Sequence, residues 1–157
     1  MKGVSVVLAI VLVLLLAAGA YVYFGGSLGS EIYSASIPAS QEEAAFSAVR
    51  SVLLAGSAPY VYDTSLSMDS PEGYFLLDIT VNLKNRGLLR AEWLTAELTP
   101  ADADAAVYSM TLPPTDIVSH GSGTLNLKIL THAPDDARAV TVNYYIFGMK
   151  RSLKIEC

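Results

Sequence analysis

The sequence predicts a mainly β protein: an antiparallel immunoglobulin-like β-sandwich of about seven strands, preceded by one N-terminal transmembrane helix and one short amphipathic helix. Three observations predict this architecture. The chain opens on an unbroken apolar run, one later segment has helical periodicity, and most other apolar residues alternate with polar ones in short segments that end in Gly, Pro or Asn. Alternation indicates half-buried strands, and the absence of a strand–helix–strand pattern favours antiparallel sheets.

The apolar run covers Val4–Phe24, with Lys2 before it and no charge inside it. A helix rises about 1.5 Å per residue, so the run spans roughly 30 Å, the thickness of a bilayer's hydrocarbon core. The aromatic residues Tyr21, Tyr23 and Phe24 come where the far membrane interface would lie. Residues 1–24 are therefore predicted to be a membrane anchor, with Lys2 on the cytoplasmic side and the C-terminal head on the extracytoplasmic side.

Two other interpretations of the run stay open. Ala18-Gly19-Ala20 has the small-residue pattern of a signal-peptide cleavage site, which would make the run a cleaved secretory signal. Lys2-Gly3 followed by Val4-Ser5-Val6 resembles an archaeal pilin-type leader. That resemblance implies cleavage after Gly3 and packing of the apolar helix in a filament core. All three interpretations place the rest of the chain outside the cytoplasm.

Residues 25–39 are predicted to be a flexible hinge, because Gly25-Gly26-Ser27-Leu28-Gly29-Ser30 carries three glycines in six residues. The head, residues 40–157, begins with a helix over about residues 41–55. Ser40 and Glu43 have the spacing of a capping box, and Gly56 suits the C-terminal end. An apolar stripe runs along this helix (Phe46, Val49 and Leu53), and we expect it to pack on the sheet.

The clearest strand is Phe75–Lys84, in which Ile79 is expected to point inward and Thr80 outward. Asn85-Arg86-Gly87 ends it with residues that favour turns. The other six strands are predicted at Tyr60–Met68, Leu89–Leu98, Ala106–Thr111, Gly123–Leu130, Arg138–Phe147 and Ser152–Glu156.

A family resemblance covers roughly residues 60–156. The stretch Leu77–Gly87, followed by Glu92–Leu98, resembles a late-embryogenesis-abundant type 2 (WHy) domain, in which a strand ends in an asparagine turn before the next alternating strand. Pro113-Pro114, then Ser119–Gly123 and Thr124–Ile129, also match that pattern, although Arg86 stands where the family has proline. The resemblance implies a sandwich without catalytic residues and a binding or protective role, often near membranes.

After residue 30 the chain carries 15 acidic and 9 basic side chains, a net charge of −6. This balance argues against nucleic acid or an anionic membrane surface as a partner, because both require a basic patch. Cys157 is the single cysteine. No intramolecular disulfide is therefore expected, and the thiol is interpreted as unpaired, with cross-linking of two copies as the alternative.

The sequence predicts no catalytic, metal-binding or cofactor-binding residues. The two histidines, His120 and His132, are expected in solvated loops at opposite ends of one strand, although Asp116, Asp135 and Asp136 lie near them. Asp102 and Asp104 are expected at a polar hairpin tip rather than in a calcium site. No motif of a hydrolase nucleophile, a zinc protease or a nucleotide-binding loop occurs.

Trp93 and Tyr145 are expected to face outward on their strands. They would form an interface patch or, as the favoured alternative, be buried under the helix or a loop. The sequence therefore predicts a non-catalytic, single-pass membrane protein whose external sandwich binds a protein or a cell-envelope component. Homo-oligomerisation is left open. The alternative function is that of a pilin-like subunit of a surface filament.

Overall fold

The computed structural model describes residues 2–64 and 68–157 of the chain. Its first element is the apolar helix α1, Lys2–Phe24. The window Val4–Tyr21 is long and apolar enough to cross a membrane, by length and composition, and none of it is buried against the rest of the protein. A helix of this kind could therefore anchor the chain to a membrane.

A β-sandwich of two antiparallel sheets follows. The larger sheet has five strands in the order β1-β3-β6-β5-β2, and the smaller has three in the order β4-β7-β8. The bounds are Leu28–Pro38 for β1, Tyr60–Val61 for β2, Phe75–Asn85 for β3, Ala91–Thr99 for β4, Asp104–Thr111 for β5, Ser122–Thr131 for β6, Ala139–Ile146 for β7 and Met149–Glu156 for β8. The predicted mainly β architecture, an antiparallel sandwich with one apolar and one short helix, is confirmed.

The core lies between the two sheets and is built from alternate residues of β3, β6 and β7. Ile79 is buried, whereas Thr80 faces the other way and its hydroxyl donates to Asn126 Oδ1 at 3.0 Å. The predicted facing of this strand is therefore correct. Burial of this alternating apolar face is the main stabilising contribution to the sandwich.

The second helix, α2, covers Glu43–Leu54 and packs on the outer face of the five-stranded sheet. Phe46 and Val49 are buried in a second cluster with Tyr74 and Leu130, so the predicted stripe does face the sheet. The helix ends as expected at Gly56, whose φ is +64°. Gly56 N donates to Leu53 O and Ser57 N to Val52 O, the hydrogen-bond pattern of a Schellman cap.

The predicted flexible hinge over residues 25–39 is wrong for most of its length. Leu28–Pro38 form β1, an edge strand that pairs with β3 along all eleven residues, and Leu28 is buried in the core. The physical reason is pairing: β3 offers a complete ladder of backbone groups, and eleven antiparallel pairs outweigh the low strand preference of the glycine-containing start. Only Gly25–Ser27 connect α1 to the sandwich.

Two further boundaries and the number of strands differ from prediction. The capping box at Ser40 does not form; Ala39–Gln41 make a 3₁₀ turn, and the N-cap of α2 is Glu42, without a side-chain capping bond. The predicted strand Tyr60–Met68 is reduced to Tyr60–Val61, and residues 65–67 lie outside the described part of the chain. Because β1 adds a strand, the described residues contain eight strands rather than about seven.

Candidate functional site

The sandwich has two ends that differ in chemistry. The helix-proximal end comprises the loops 86–90, 112–121 and 147–148, which lie beside the start of β1 and therefore beside the end of α1. The far end comprises residues 62–64, 68–74, 100–103 and 132–138, at the opposite ends of the strands. Each end is a candidate site, because loops at the ends of a rigid sheet commonly carry function.

A buried ion pair occupies the far end. The side chains of Arg138 and Asp104 are 1% and 0% exposed. Arg138 Nε lies 3.0 Å from both carboxylate oxygens of Asp104, and Asp104 Oδ2 also accepts from Ala101 N at 2.9 Å. Because Asp104 begins β5 and Arg138 immediately precedes β7, the pair links the two sheets.

The remaining donors of Arg138 are also used. Nη1 donates to the carbonyl oxygens of Pro134 at 3.0 Å and Asp136 at 2.6 Å. Nη2 donates to Thr131 Oγ1 and to Ala133 O, both at 2.9 Å. A buried ion pair persists only when such hydrogen bonds offset the cost of desolvation. The arrangement therefore fixes the 132–138 loop, and the Asp104 carboxylate is committed to structure.

This pair corrects one expectation. Asp104 was predicted at a polar hairpin tip together with Asp102, and that prediction is wrong for Asp104, which is buried, while Asp102 is exposed. Arg138 was predicted only as the first residue of a strand. The two partners are 34 positions apart, so no local spacing connects them. The available sequence signal for a buried ion pair was the position of Arg138, a charged residue next to the apolar strand β7.

An open polar cleft of about 430 Å³ lies beside the ion pair. Tyr62, Asp63, Asp102 and His132 contribute to its walls. Burial raises the pKa of Tyr62, and the negative charge of Asp104 raises it further, so this phenol stays protonated at neutral pH. With Asp104 bound to Arg138, the cleft offers polar contacts but no buried base free to accept a proton.

The two histidines lie at opposite ends of β6 and are exposed, as predicted. His132 Nδ1 is 2.9 Å from Gly73 O, and its ring lies 4.3 Å from that of Tyr74. His120 belongs to the helix-proximal end. Within residues 2–64 and 68–157, no three His, Cys, Asp or Glu residues converge as a metal site would require.

Trp93 and Tyr145 form an aromatic pair near the helix-proximal end. Trp93 is 68% exposed, so the favoured expectation of burial under the helix or a loop is wrong. Its ring meets Tyr145 edge-on, with centroids 5.6 Å apart and planes at 67°. The pairing register of β4 with β7 shifts between Glu92 and Thr95, and this bulge turns Trp93 outward at a φ of +52°.

The buried side chain of Asn85 makes hydrogen bonds to two loops of the helix-proximal end. Its Nδ2 donates to Leu89 O at 2.7 Å and to Ile117 O at 3.1 Å, and its Oδ1 accepts from Gly87 N at 2.9 Å. The predicted turn at Asn85 is therefore present, and it also joins the 86–90 loop to the 112–121 loop. These hydrogen bonds fix the backbone of the loops and therefore the positions of their side chains.

Cys157 is half-buried at the far end of β8. Burial raises the pKa of its thiol, an effect that the nearby Arg138 opposes. A protonated thiol is a poor nucleophile and enters disulfide exchange slowly. The unpaired thiol and the cross-link between two copies both stay predictions.

Comparisons with known proteins give no family. No protein-family model matches the chain, and no curated protein matches it significantly. Among solved structures, the GAE domain of GGA2p from Saccharomyces cerevisiae is similar at a TM-score of 0.44 and 11% identity, covering 52% of this chain and 74% of that chain. The resemblances to a WHy domain and to a pilin-type leader stay predictions.

Proposed function

We propose that this chain is a non-catalytic, single-pass membrane protein whose extracytoplasmic β-sandwich binds a protein or another component of the cell envelope. The observation that carries the proposal is α1. Its apolar surface is exposed on all sides, since none of Val4–Tyr21 is buried in the protein. An exposed apolar helix of this length needs lipid or other helices around it.

Two features support a binding rather than a catalytic role. The best-defined buried carboxylate, Asp104, is neutralised by Arg138, and the neighbouring phenol of Tyr62 has a raised pKa. Catalysis of acid–base type needs a titratable group with access to substrate and a pKa near the working pH. The far-end cleft does hold His132, Asp63 and Asp102, but the buried carboxylate among its lining residues, Asp104, is occupied by Arg138.

A protein partner would find an open strand edge in β1. This eleven-residue strand pairs with β3 on one side, and its surface includes the exposed Tyr33. An unpaired edge can accept a strand from another chain, with affinity from backbone hydrogen bonds. The same edge could join two copies of this chain, which keeps homo-oligomerisation within the proposal.

The orientation of α1 in the membrane determines whether the sandwich lies outside the cytoplasm. Lys2 stands before the apolar run and no basic residue follows until Arg50, so retention of the positive flank in the cytoplasm orients the sandwich outward. Protease added to intact cells without an outer barrier should digest the sandwich and leave α1 in the membrane fraction. Protection of the sandwich until lysis would place it in the cytoplasm, and release of an intact sandwich would indicate a cleaved signal after Ala20.

The alternative function, a pilin-like filament subunit, is favoured by the same exposed helix, because such subunits bury an N-terminal apolar helix against other copies. The mass of the mature N-terminus separates the two. Cleavage after Gly3 supports the filament subunit, whereas a chain that still begins at Met1 supports the membrane anchor.

A further inference from the structure

The connection from α1 to the sandwich is short and packed. Between Phe24 and Leu28 only three residues intervene, and even fully extended they reach roughly 10 to 15 Å. They run across the helix-proximal loops, since a Cβ on Gly26 would lie 2.9 Å from Ile146 Cδ1 and a Cβ on Gly87 would lie 3.2 Å from Gly26 Cα. Wherever α1 sits in a bilayer, this end of the sandwich is therefore held close to the headgroups.

Exposed apolar side chains gather on that same end. Leu88, Val118 and Phe147 are 62%, 54% and 77% exposed, each on a different helix-proximal loop, and Leu112 is also exposed. Trp93 and Tyr145 lie beside them. Aliphatic and aromatic side chains at loop tips are unfavourable in water but suited to the boundary between headgroups and acyl chains.

The backbone of this end is strained as well. Within the described residues, the three non-glycine residues with positive φ are Trp93 at +52°, His120 at +56° and Phe147 at +51°. His120 and Phe147 lie on loops of this end, and Trp93 lies beside them on β4. Bulky side chains at positive φ are uncommon and costly. Strain of this kind concentrates where a residue is held for contact rather than for stability.

Charge is divided between the two ends. Exposed basic side chains mark the helix-proximal end: Lys84, Arg86, Arg90 and Lys150. Asp116, Glu92 and Glu31 also lie there. Asp116 Oδ2 is 3.7 Å from Arg90 Nη1, and Glu31 lines the same surface depression as Lys84. The far end carries the acidic residues Asp63, Asp69, Glu72, Asp102, Asp135 and Asp136. The overall negative charge thus conceals an end at which the exposed basic side chains outnumber the acidic ones.

We propose that the helix-proximal end of the sandwich lies on the bilayer surface in which α1 is anchored, with Leu88 and Phe147 in the headgroup layer and the basic side chains next to lipid phosphates. The inference rests on the proposed anchoring by α1. The basic residues attract anionic lipid, and the apolar tips add contact that does not depend on salt. The acidic far end is then directed away from the membrane.

The test uses the full chain in vesicles of phosphatidylcholine with a minor fraction of phosphatidylglycerol. Cys157→Ser removes the native thiol, and a single cysteine carries a fluorophore at Phe147→Cys or, as the control at the far end, at Asp135→Cys. Both positions are exposed. The label at position 147 should be quenched several-fold more strongly than the label at 135 by a lipid with a nitroxide near its headgroup, and less strongly by aqueous iodide.

The outcomes separate this inference from the anchoring on which it rests. Failure of the chain to float with the vesicles overturns the anchoring. Flotation with equal quenching at positions 147 and 135 overturns the surface contact and leaves the anchoring intact. Protection from iodide at position 147 without quenching by the lipid nitroxide means that a protein surface covers this end, which also overturns the contact.

A charge-matched pair of variants tests the basic residues. The double variant Arg86→Glu with Arg90→Glu should lower the lipid quenching at position 147 in anionic vesicles. Arg50→Glu with Lys154→Glu changes the net charge by the same amount away from the helix-proximal end and should leave the quenching unchanged. Equal effects of the two double variants would show that net charge, rather than this end, controls the contact.

Discussion

The two ends of the sandwich contrast in where they place charge and apolar surface. At the far end, Arg138 and Asp104 are removed from water and their hydrogen-bonding groups are satisfied, while the exposed loops are acidic. At the helix-proximal end, exposed arginines lie beside Leu88 and Phe147, which stand in solvent. The far end is a solvated acidic surface above the buried Arg138–Asp104 ion pair. The helix-proximal end has exposed apolar side chains and residues at positive φ, which stability alone does not explain.

The contrast teaches that net charge is a poor guide to partners in a chain with a fixed tether. The composition argued against an anionic membrane surface because the head has an excess of acidic side chains. The fold sorts those charges along the strand axis, and under the proposed anchoring the three-residue connection sets which end lies nearer the bilayer. A partner responds to the local field within about a Debye length rather than to the sum over the domain.

The largest expected effect comes from breaking the far-end link. Arg138→Ala leaves the Asp104 carboxylate buried without its partner and should lower the free energy of unfolding by about 3–5 kcal/mol. Arg90→Ala, at the other end, removes an exposed arginine whose pair with Asp116 is long, and should cost at most about 1 kcal/mol. Urea unfolding of residues 25–157 measures both variants. Similar losses would mean that Arg138 does not carry the stability of the far end.

A second comparison uses two leucines of the helix-proximal region. Leu28→Ala removes a buried side chain from the first position of β1 and should cost about 2–5 kcal/mol. Leu88→Ala removes an exposed one and should change stability by no more than about 0.5 kcal/mol. The same urea unfolding experiment compares them. A large loss for Leu88→Ala would show that this leucine packs within the sandwich and is not available to a membrane.

Sequence patterns predicted what depends on local periodicity. The facing of Ile79 and Thr80, the buried stripe of α2 and the turn at Asn85 follow from neighbours within a few positions. The strand β1 did not follow, because its glycine, its three serines and its small residues indicate flexibility. Its conformation is imposed by β3, a partner about 50 positions away in the chain.

The candidate surfaces were predictable only in part. Trp93 and Tyr145 were recognised as outward-facing, but their exposure depends on the bulge between Glu92 and Thr95, which no sequence signal marked. Arg138 and Asp104 meet only because the two sheets are packed together. Leu88, Val118 and Phe147 likewise lie at one end of the sandwich only because the strand topology brings three separate loops to that end.

The smallest expected change in stability, and the one that best distinguishes the two ends of the sandwich, concerns Phe147. Phe147 and Gly148 form the two-residue connection between β7 and β8, with φ values of +51° and +73°. Hairpin turns of this conformation favour Asn-Gly, because asparagine tolerates the left-handed region better than a bulky residue. Phe147→Asn should therefore raise the free energy of unfolding of residues 25–157 by about 1 kcal/mol, whereas Phe147→Ala, which keeps the strained φ, should change it little.

The same substitution should weaken the membrane contact of the full chain, read as reduced quenching of a label at Leu88→Cys by the headgroup nitroxide lipid. A gain in stability together with a loss of contact is expected where a residue is kept for binding at the expense of folding. A loss of stability on Phe147→Asn would show that the phenylalanine ring packs on the sandwich. The helix-proximal end would then differ from the far end in composition, but Phe147 would serve folding rather than membrane contact.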